Sequence, residues 1–475
     1  MPVPLQRPAC PCAAGRLADT LEGVPPAGSA PGMQGLRRLY EESVPSMPTT
    51  LEIASAYSQL PVASPSANYA AIKIHPDATI QARPQVQIGL VIDTSGSMDG
   101  QIRGTLSQKK IDLVKSAATN VINQLQDGDA ICLIAFSDRV QILVPAQVVQ
   151  SDRSRLLNAI RHLRADGGTL MGDGIAAAQQ QFFALPAQAA VRKIVVLTDG
   201  QTNDEDRCYQ LAEQTQIPFM LGGIGDDYNG RLLNEMARSA RGVAEYIDRA
   251  EAVGDFFKEV LTTVQATVVT SASLQLDFRQ RFRPKRIHQV SPELKSFDFT
   301  PVTPSNRHTQ VALGDIQREG MVVLVEYVYE GGAGFANEFQ VASLALRYDQ
   351  PPQSGLEVRS DDFTIQLADG TGFPPMDDEV KQYVDHAAVE TAQSQLLQAA
   401  QEGNVAVATQ KLNMLQQSLE RVGADPTFIQ QTVSTMRLQL KDAGNAGAIS
   451  DSSATKKLTS GTRKLVLPQN PEGQP

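Results

Sequence analysis

Between residues 85 and 265, unbroken apolar runs of strand length alternate with helical stretches, and few architectures accommodate that pattern. The runs are "VQIGLVI", "AICLIAF", "KIVVLT", "IPFMLGGI" and "VAEYI". Between and after them lie "KKIDLVKSAATNVINQL", "SRLLNAIRHL", "GIAAAQQQFFAL", "DEDRCYQLAEQT", "RLLNEMARSA" and "EAVGDFFKEVLTTV". A strand that is apolar throughout has to be covered on both faces, and intervening helices allow the strands to pair in parallel. The segment therefore predicts a doubly wound, Rossmann-like α/β domain over 85–265.

The flanks read differently. Residues 1–46 are rich in Pro, Gly and Ala without periodicity and are expected to be a disordered extension, with Met33 and Met47 as alternative translation starts to Met1. Residues 47–84 are short, alternating and β-like. Residues 266–370, with "TVVTSASLQLDF", "GMVVLVEYVYE" and "NEFQVASLALRYD", predict a β-sandwich. Strand patterns on both sides of the α/β segment imply that it is inserted in the sandwich, or else followed by it. Residues 376–443 predict a helical bundle or hairpin, and 444–475 a flexible tail rich in Thr, Lys and Arg.

The first apolar strand runs straight into "DTSGSM". Ligand sites of doubly wound sheets form outside the carboxyl ends of the strands, so Asp93, Ser95 and Ser97 lie where a ligand would sit. Two equivalent loops add oxygens, Thr169 in "DGGTLMGDG" and Asp199 in "VVLTDGQTND". Two carboxylates and three hydroxyls, with no imidazole or thiolate, make a hard oxygen site suited to Mg²⁺, with Mn²⁺ and Ca²⁺ as alternative occupants. Two carboxylates neutralise a divalent cation and leave room for an outside carboxylate. That is binding chemistry, without a nucleophile or general base.

"DTSGSM", "GGTLMG" and "VVLTDG" together resemble the three loops of the metal-ion-dependent adhesion site of von Willebrand factor A domains. The resemblance implies that Ser95, Ser97 and Thr169 touch the metal through hydroxyls, and that Asp93 and Asp199 act directly or through water. It further implies a non-enzymatic domain that binds protein partners through a partner's Asp or Glu. An isolated D-x-S-x-S reads equally well as a helix cap, but the two distant partners in order argue against that. A phosphatase of the haloacid dehalogenase type would place a second Asp where Ser95 stands.

The rest of the sequence narrows the class. A formal charge of −10 disfavours a nucleic-acid surface. No apolar run approaches the roughly 20 residues that span a bilayer, and the N-terminal stretch lacks a signal-peptide core, so a cytoplasmic location is expected. Cys10, Cys12, Cys132 and Cys208 are too few for a disulfide framework, Cys132 reading as core and Cys208 as an ordinary helix residue. Asp173 lies one turn from Thr169 and either tunes the site or serves the helix dipole. His75, His162, His288, His308 and His386 are scattered. In the tail, Thr455, Thr459 and Thr462 are interleaved with Lys456, Lys457, Arg463 and Lys464, which reads as a solvated end or as phosphorylation sites. The overall layout resembles bacterial, cyanobacterial-type intracellular A-domain proteins, which implies Ser/Thr kinases and phosphothreonine-reading forkhead-associated domains as partners. The alternatives are an accessory subunit of a metal-inserting chelatase, although no "GxxxxGK[ST]" occurs, an extracellular adhesin, and a Mg²⁺-dependent hydrolase.

Overall fold

A computed structural model describes residues 49–76, 84–101, 109–185, 190–199, 202–225, 228–303, 305–332, 337–351, 353–442 and 452–465. The expectations for residues 1–46, with Cys10, Cys12 and Met33, lie outside the described residues. Three strands come first, β1 (Thr49–Ser55), β2 (Gln59–Pro61) and β3 (Ser66–Pro76). The α/β segment then runs β4 (Gln85–Asp93), α1 (Lys110–Gln124), β5 (Ala130–Phe136), β6 (Val140–Val148), α2 (Ser154–Arg161) and α3 (Met171–Phe182). It continues with β7 (Ala190–Thr198), α4 (Glu205–Gln214), β8 (Phe219–Ile224), α5 (Gly230–Ser239), β9 (Val243–Ile247) and α6 (Ala250–Ala266).

The six strands of this segment order as β6-β5-β4-β7-β8-β9. All neighbours pair in parallel except β6, which runs antiparallel to β5. Alternate residues of β4 enter opposite cores. Ile88, Leu90 and Ile92 pack with Val114 and Val121 of α1 and with Phe256 and Val260 of α6. Val91 packs on the other side, with Ile175 and Phe182 of α3 and Leu232 of α5. Cys132 and Cys208 are buried free thiols in that second core, as expected for Cys132, whereas Cys208 is a core residue of its helix rather than an ordinary helix position. The edge strand β6 escaped the sequence reading because its segment "VQILVPAQV" contains Pro145. A proline is tolerated there because an edge strand leaves amides without a ladder partner.

The chain passes from β4 to β5 on one side and later to β7 on the other. The carboxyl end of β4 is therefore the switch point where the strand order reverses.

Seven further strands follow: β10 (Thr267–Phe278), β11 (Phe282–Ser291), β12 (Lys295–Ser296), β13 (His308–Gln317), β14 (Met321–Tyr329), β15 (Asn337–Gln350) and β16 (Gln353–Ala368). They form two five-stranded sheets, β1-β3-β14-β11-β12 and β13-β10-β15-β16-β2. Strands from before the α/β segment thus belong to both sheets, β3 in the interior of the first and β2 at the edge of the second. β3 pairs with β14 from Ser66↔Tyr329 to Ile74↔Met321, and Leu60, Ile72 and Ile74 share the sandwich core with Tyr327, Tyr329 and Phe363. The α/β domain is an insertion.

The C-terminal helices are α7 (Asp378–Gln401), α8 (Val405–Arg421), α9 (Pro426–Asp442) and α10 (Ser453–Arg463). Asp377 caps α7 by accepting from the Val380 amide. Val380, Val389 and Leu396 join Ala71, Val290 and Leu324 of the first sheet in one core, so the helices cover that sheet's outer face. Of the expected flexible tail over 444–475, residues 444–451 and 466–475 lie outside the described residues, and the part between them is corrected here. Residues 453–463 are helical and docked, with Ala454 and Leu458 in the helical core and Ser452 accepting from the Thr455 amide as cap. No helix among the described residues is long and apolar enough to cross a membrane.

Candidate functional site

Asp93 is the last residue of β4 and Asp199 directly follows β7, so parallel pairing of the two strands brings both carboxylates to one sheet end. Asp93 Oδ1 accepts from the Ser95 amide at 2.8 Å, and its Oδ2 accepts from the Thr198 hydroxyl at 2.7 Å. The Ser95 and Ser97 hydroxyls lie 3.0 Å apart, and Ser97 Oγ donates to Asp199 Oδ1 at 2.6 Å. Four of the five expected donors thus form one hydrogen-bonded cluster.

Thr169 comes from the third loop. The Thr94 carbonyl accepts from the Asp166 amide at 2.7 Å, and the Gly96 amide donates to the Gly167 carbonyl at 3.0 Å. Gly167 makes this turn with φ +85°, a conformation that costs a residue with a Cβ. The Thr169 carbonyl accepts from the Asn203 amide at 3.0 Å, which ties its loop to the one that follows Asp199. Backbone contacts therefore knit all three loops together, and Thr169 is buried in its loop.

Electrostatics single out this end of the sheet. Asp93 is 0% exposed and Asp199 1% exposed, whereas Ser97 and Gly96 face solvent. Burial pushes the Asp93 carboxyl up to about 6, opposed by its Ser95 and Thr198 hydrogen bonds and reinforced by the charge of Asp199. Two buried carboxylates beneath an exposed hydroxyl form a site that a cation stabilises. Among the described residues no group of three or more His, Cys, Asp or Glu side chains could hold a metal. A cation at this point would therefore depend on the hydroxyls as well, which is the donor chemistry of a hard divalent ion.

Lys110, the first residue of α1, went unnoticed in the sequence. Its Nζ lies 2.5 Å from Asp199 Oδ2, and the residue is buried. The visible signal was a lysine pair opening a helix, where the dipole disfavours cations. Asp173 pairs with Arg207 at 2.9 Å. The histidines have separate surroundings, with His288 3.4 Å from Glu390 and His308 2.7 Å from Asp277.

The expected phosphorylation sites are not on an accessible tail. Thr455 is 3% and Thr462 4% exposed. Thr462 Oγ1 donates to Gln393 Oε1 at 2.6 Å, and Thr459 Oγ1 accepts from Gln393 Nε2 at 3.0 Å. The physical reason is an ionic clamp at the end of α10. Arg463 reaches Glu245 at 2.6 Å, Glu259 at 2.9 Å and Glu293 at 2.6 Å, joining the α/β domain to the sandwich. Lys456 Nζ donates to the Tyr228 carbonyl at 2.7 Å and lies 4.1 Å from the Tyr228 ring centroid.

Comparison with known proteins agrees with this architecture. Residues 87–259 match the von Willebrand factor type A domain family. Uncharacterized protein sll0103 of Synechocystis sp. is 29% identical over 62% of this chain and 69% of its own length. Inter alpha-trypsin inhibitor, heavy chain 4, of Mus musculus is 30% identical over 38% of this chain, but that match spans only 20% of its length. The solved structure of von Willebrand factor type A from Catenulispora acidiphila superposes with a TM-score of 0.64 at 18% identity, covering 89% of this chain and 98% of that one. That likeness extends the shared fold over the sandwich and the helices. Residues 87–259 of this chain thus match the von Willebrand factor A domain family in sequence and take its Rossmann-like α/β fold.

Proposed function

We propose that this chain is a divalent-metal-dependent protein-binding scaffold. Asp93, Ser95, Ser97, Thr169 and Asp199 hold the ion, Mg²⁺ being the best match to the donor set, and a partner's Asp or Glu completes its coordination. The carrying observation is that two buried carboxylates at the ends of neighbouring strands are linked through Ser95 and Ser97, of which Ser97 is exposed to solvent. The bound ion would supply an electrophilic docking point; the chain's own residues orient it and exclude water from its inner side. A cytoplasmic setting is part of the proposal, tested by cell fractionation.

The Ser/Thr kinase and forkhead-associated partners suggested by the tail would require α10 to undock first, because Thr455 and Thr462 are buried. The proposal therefore stands on the metal site. Capture of a native partner by the immobilised full chain should be lost in EDTA, restored by Mg²⁺, and lost in Asp93→Ala. Capture indifferent to both treatments would overturn the reading.

A further inference from the structure

Lys110 stands where elementary physics disfavours a lysine. It is 8% exposed, although a buried ammonium without a partner is costly. It opens α1, where the positive end of the helix dipole repels a cation, and the preceding cap residue Lys109 supplies no side-chain acceptor. The helix is nonetheless anchored at this point, since the Lys110 amide donates to the Gly100 carbonyl at 2.9 Å. Gly225 in the β8–α5 turn borders the ammonium, and a Cβ there would lie 3.5 Å from Nζ. Among the described residues, its ion-pair partner is Asp199, whose Oδ2 lies 2.5 Å from Nζ.

The charges around Asp199 can then be counted. Among the described residues of the cluster, Asp93 and Asp199 carry two negative charges and Lys110 one positive, which leaves a net charge of about one negative. A divalent ion added to the same cluster turns that deficit into an excess of one positive charge. The ammonium and the ion repel each other at close range in a poorly hydrated site, where such terms are large.

We propose that Lys110 is an internal competitor for the metal site, a built-in monovalent cation that steadies Asp199 without metal and weakens divalent binding. This rests on the metal-site reading above and adds a consequence. With Lys110 present, the loaded site carries a surplus positive charge that an acidic partner side chain cancels, so metal and partner reinforce each other. Without Lys110, the metal binds tightly on its own and the partner's carboxylate contributes less. The lysine thus sets how strictly capture depends on an acidic group.

The test uses Mn²⁺ as probe on the full chain, with free Mn²⁺ followed by its electron paramagnetic resonance signal, for wild type, Lys110→Met and Lys110→Arg. Lys110→Met should bind Mn²⁺ at least about tenfold more tightly than wild type, with a lower thermal midpoint in EDTA and a larger midpoint rise on adding Mn²⁺. Lys110→Arg, which keeps the charge, should retain wild-type affinity. Should Lys110→Met fail to fold, Lys110→Gln takes its place with the same expectations. Affinity that is unchanged or weaker in the neutral variants overturns the Lys110 role while leaving the metal site standing. Absence of saturable Mn²⁺ binding in every variant, wild type included, overturns both.

Discussion

At the residue scale, Asp93 and Asp199 are two buried carboxylates whose burial does not favour stability on its own. Like charges out of water raise the energy of the folded state unless a cation joins them. Asp93→Asn should therefore abolish the rise in thermal midpoint on adding Mg²⁺ and leave the metal-free chain folded. In EDTA its stability should match or exceed wild type, by on the order of 1 kcal/mol, as measured by denaturant unfolding. A variant that unfolds in EDTA would indicate that Asp93 serves the fold. Much of this cluster is legible in the sequence, because hydroxyls and carboxylates at strand ends follow from local pattern. Lys110 is not, since its partner Asp199 lies 89 positions away and only the reversal of strand order brings them together.

At the scale of elements, the helices and strands that bury an apolar stripe are visible in the sequence and α10 is not. Its apolar contribution reduces to Ala454 and Leu458, too few to make a periodic stripe, while Arg463 and Lys456 hold it through residues far away in the chain. A helix held by ion pairs looks, residue by residue, like a solvated tail. Arg463→Ala leaves Glu293 without this cation and Glu245 and Glu259 with Lys464, and loss of this part-buried network should cost on the order of 1–3 kcal/mol. Hydrogen exchange should show fast amides over 453–463 in that variant, with the sheet core of the A domain still protected. Exchange as slow as in wild type would contradict the clamp.

The clamp also has a pH signature. Burial raises the carboxyl of Glu259, but Arg463 and Lys464 outweigh it and hold the group below its ordinary 4.5. A depressed carboxylate stabilises fully above its unfolded value and loses that contribution as pH falls through the folded one. The stability difference between wild type and Glu259→Gln should be constant above pH 4.5 and shrink below it. A difference that widens with acid would reverse the sign.

For the whole molecule, insertion is the organising fact. Alternating patterns on both sides of the α/β segment pointed to it, and β3 beside β14 realises it. Deleting residues 49–76 removes an interior strand of one sheet and the edge strand β2 of the other, along with Leu60, Ile72 and Ile74 from their shared core. Such a chain should lose the sandwich and with it the platform for α7, whose contacts include Ala71 and Leu324. The A domain has its own cores on both sheet faces and should survive. Circular dichroism should show a loss of strand signal, while Mg²⁺ still raises the remaining midpoint. A single cooperative loss of all structure would show that the A domain depends on its host.

The convergence of three loops on one ion is tested most directly by calorimetric titration of Mn²⁺ into wild type and Thr169→Val. Thr169 contributes no charge and reaches the cluster only if the fold closes as described. One ion per chain is expected in wild type, with affinity reduced about tenfold or more when the Thr169 hydroxyl is removed. Equal affinities in the two proteins would contradict a site built from all three loops.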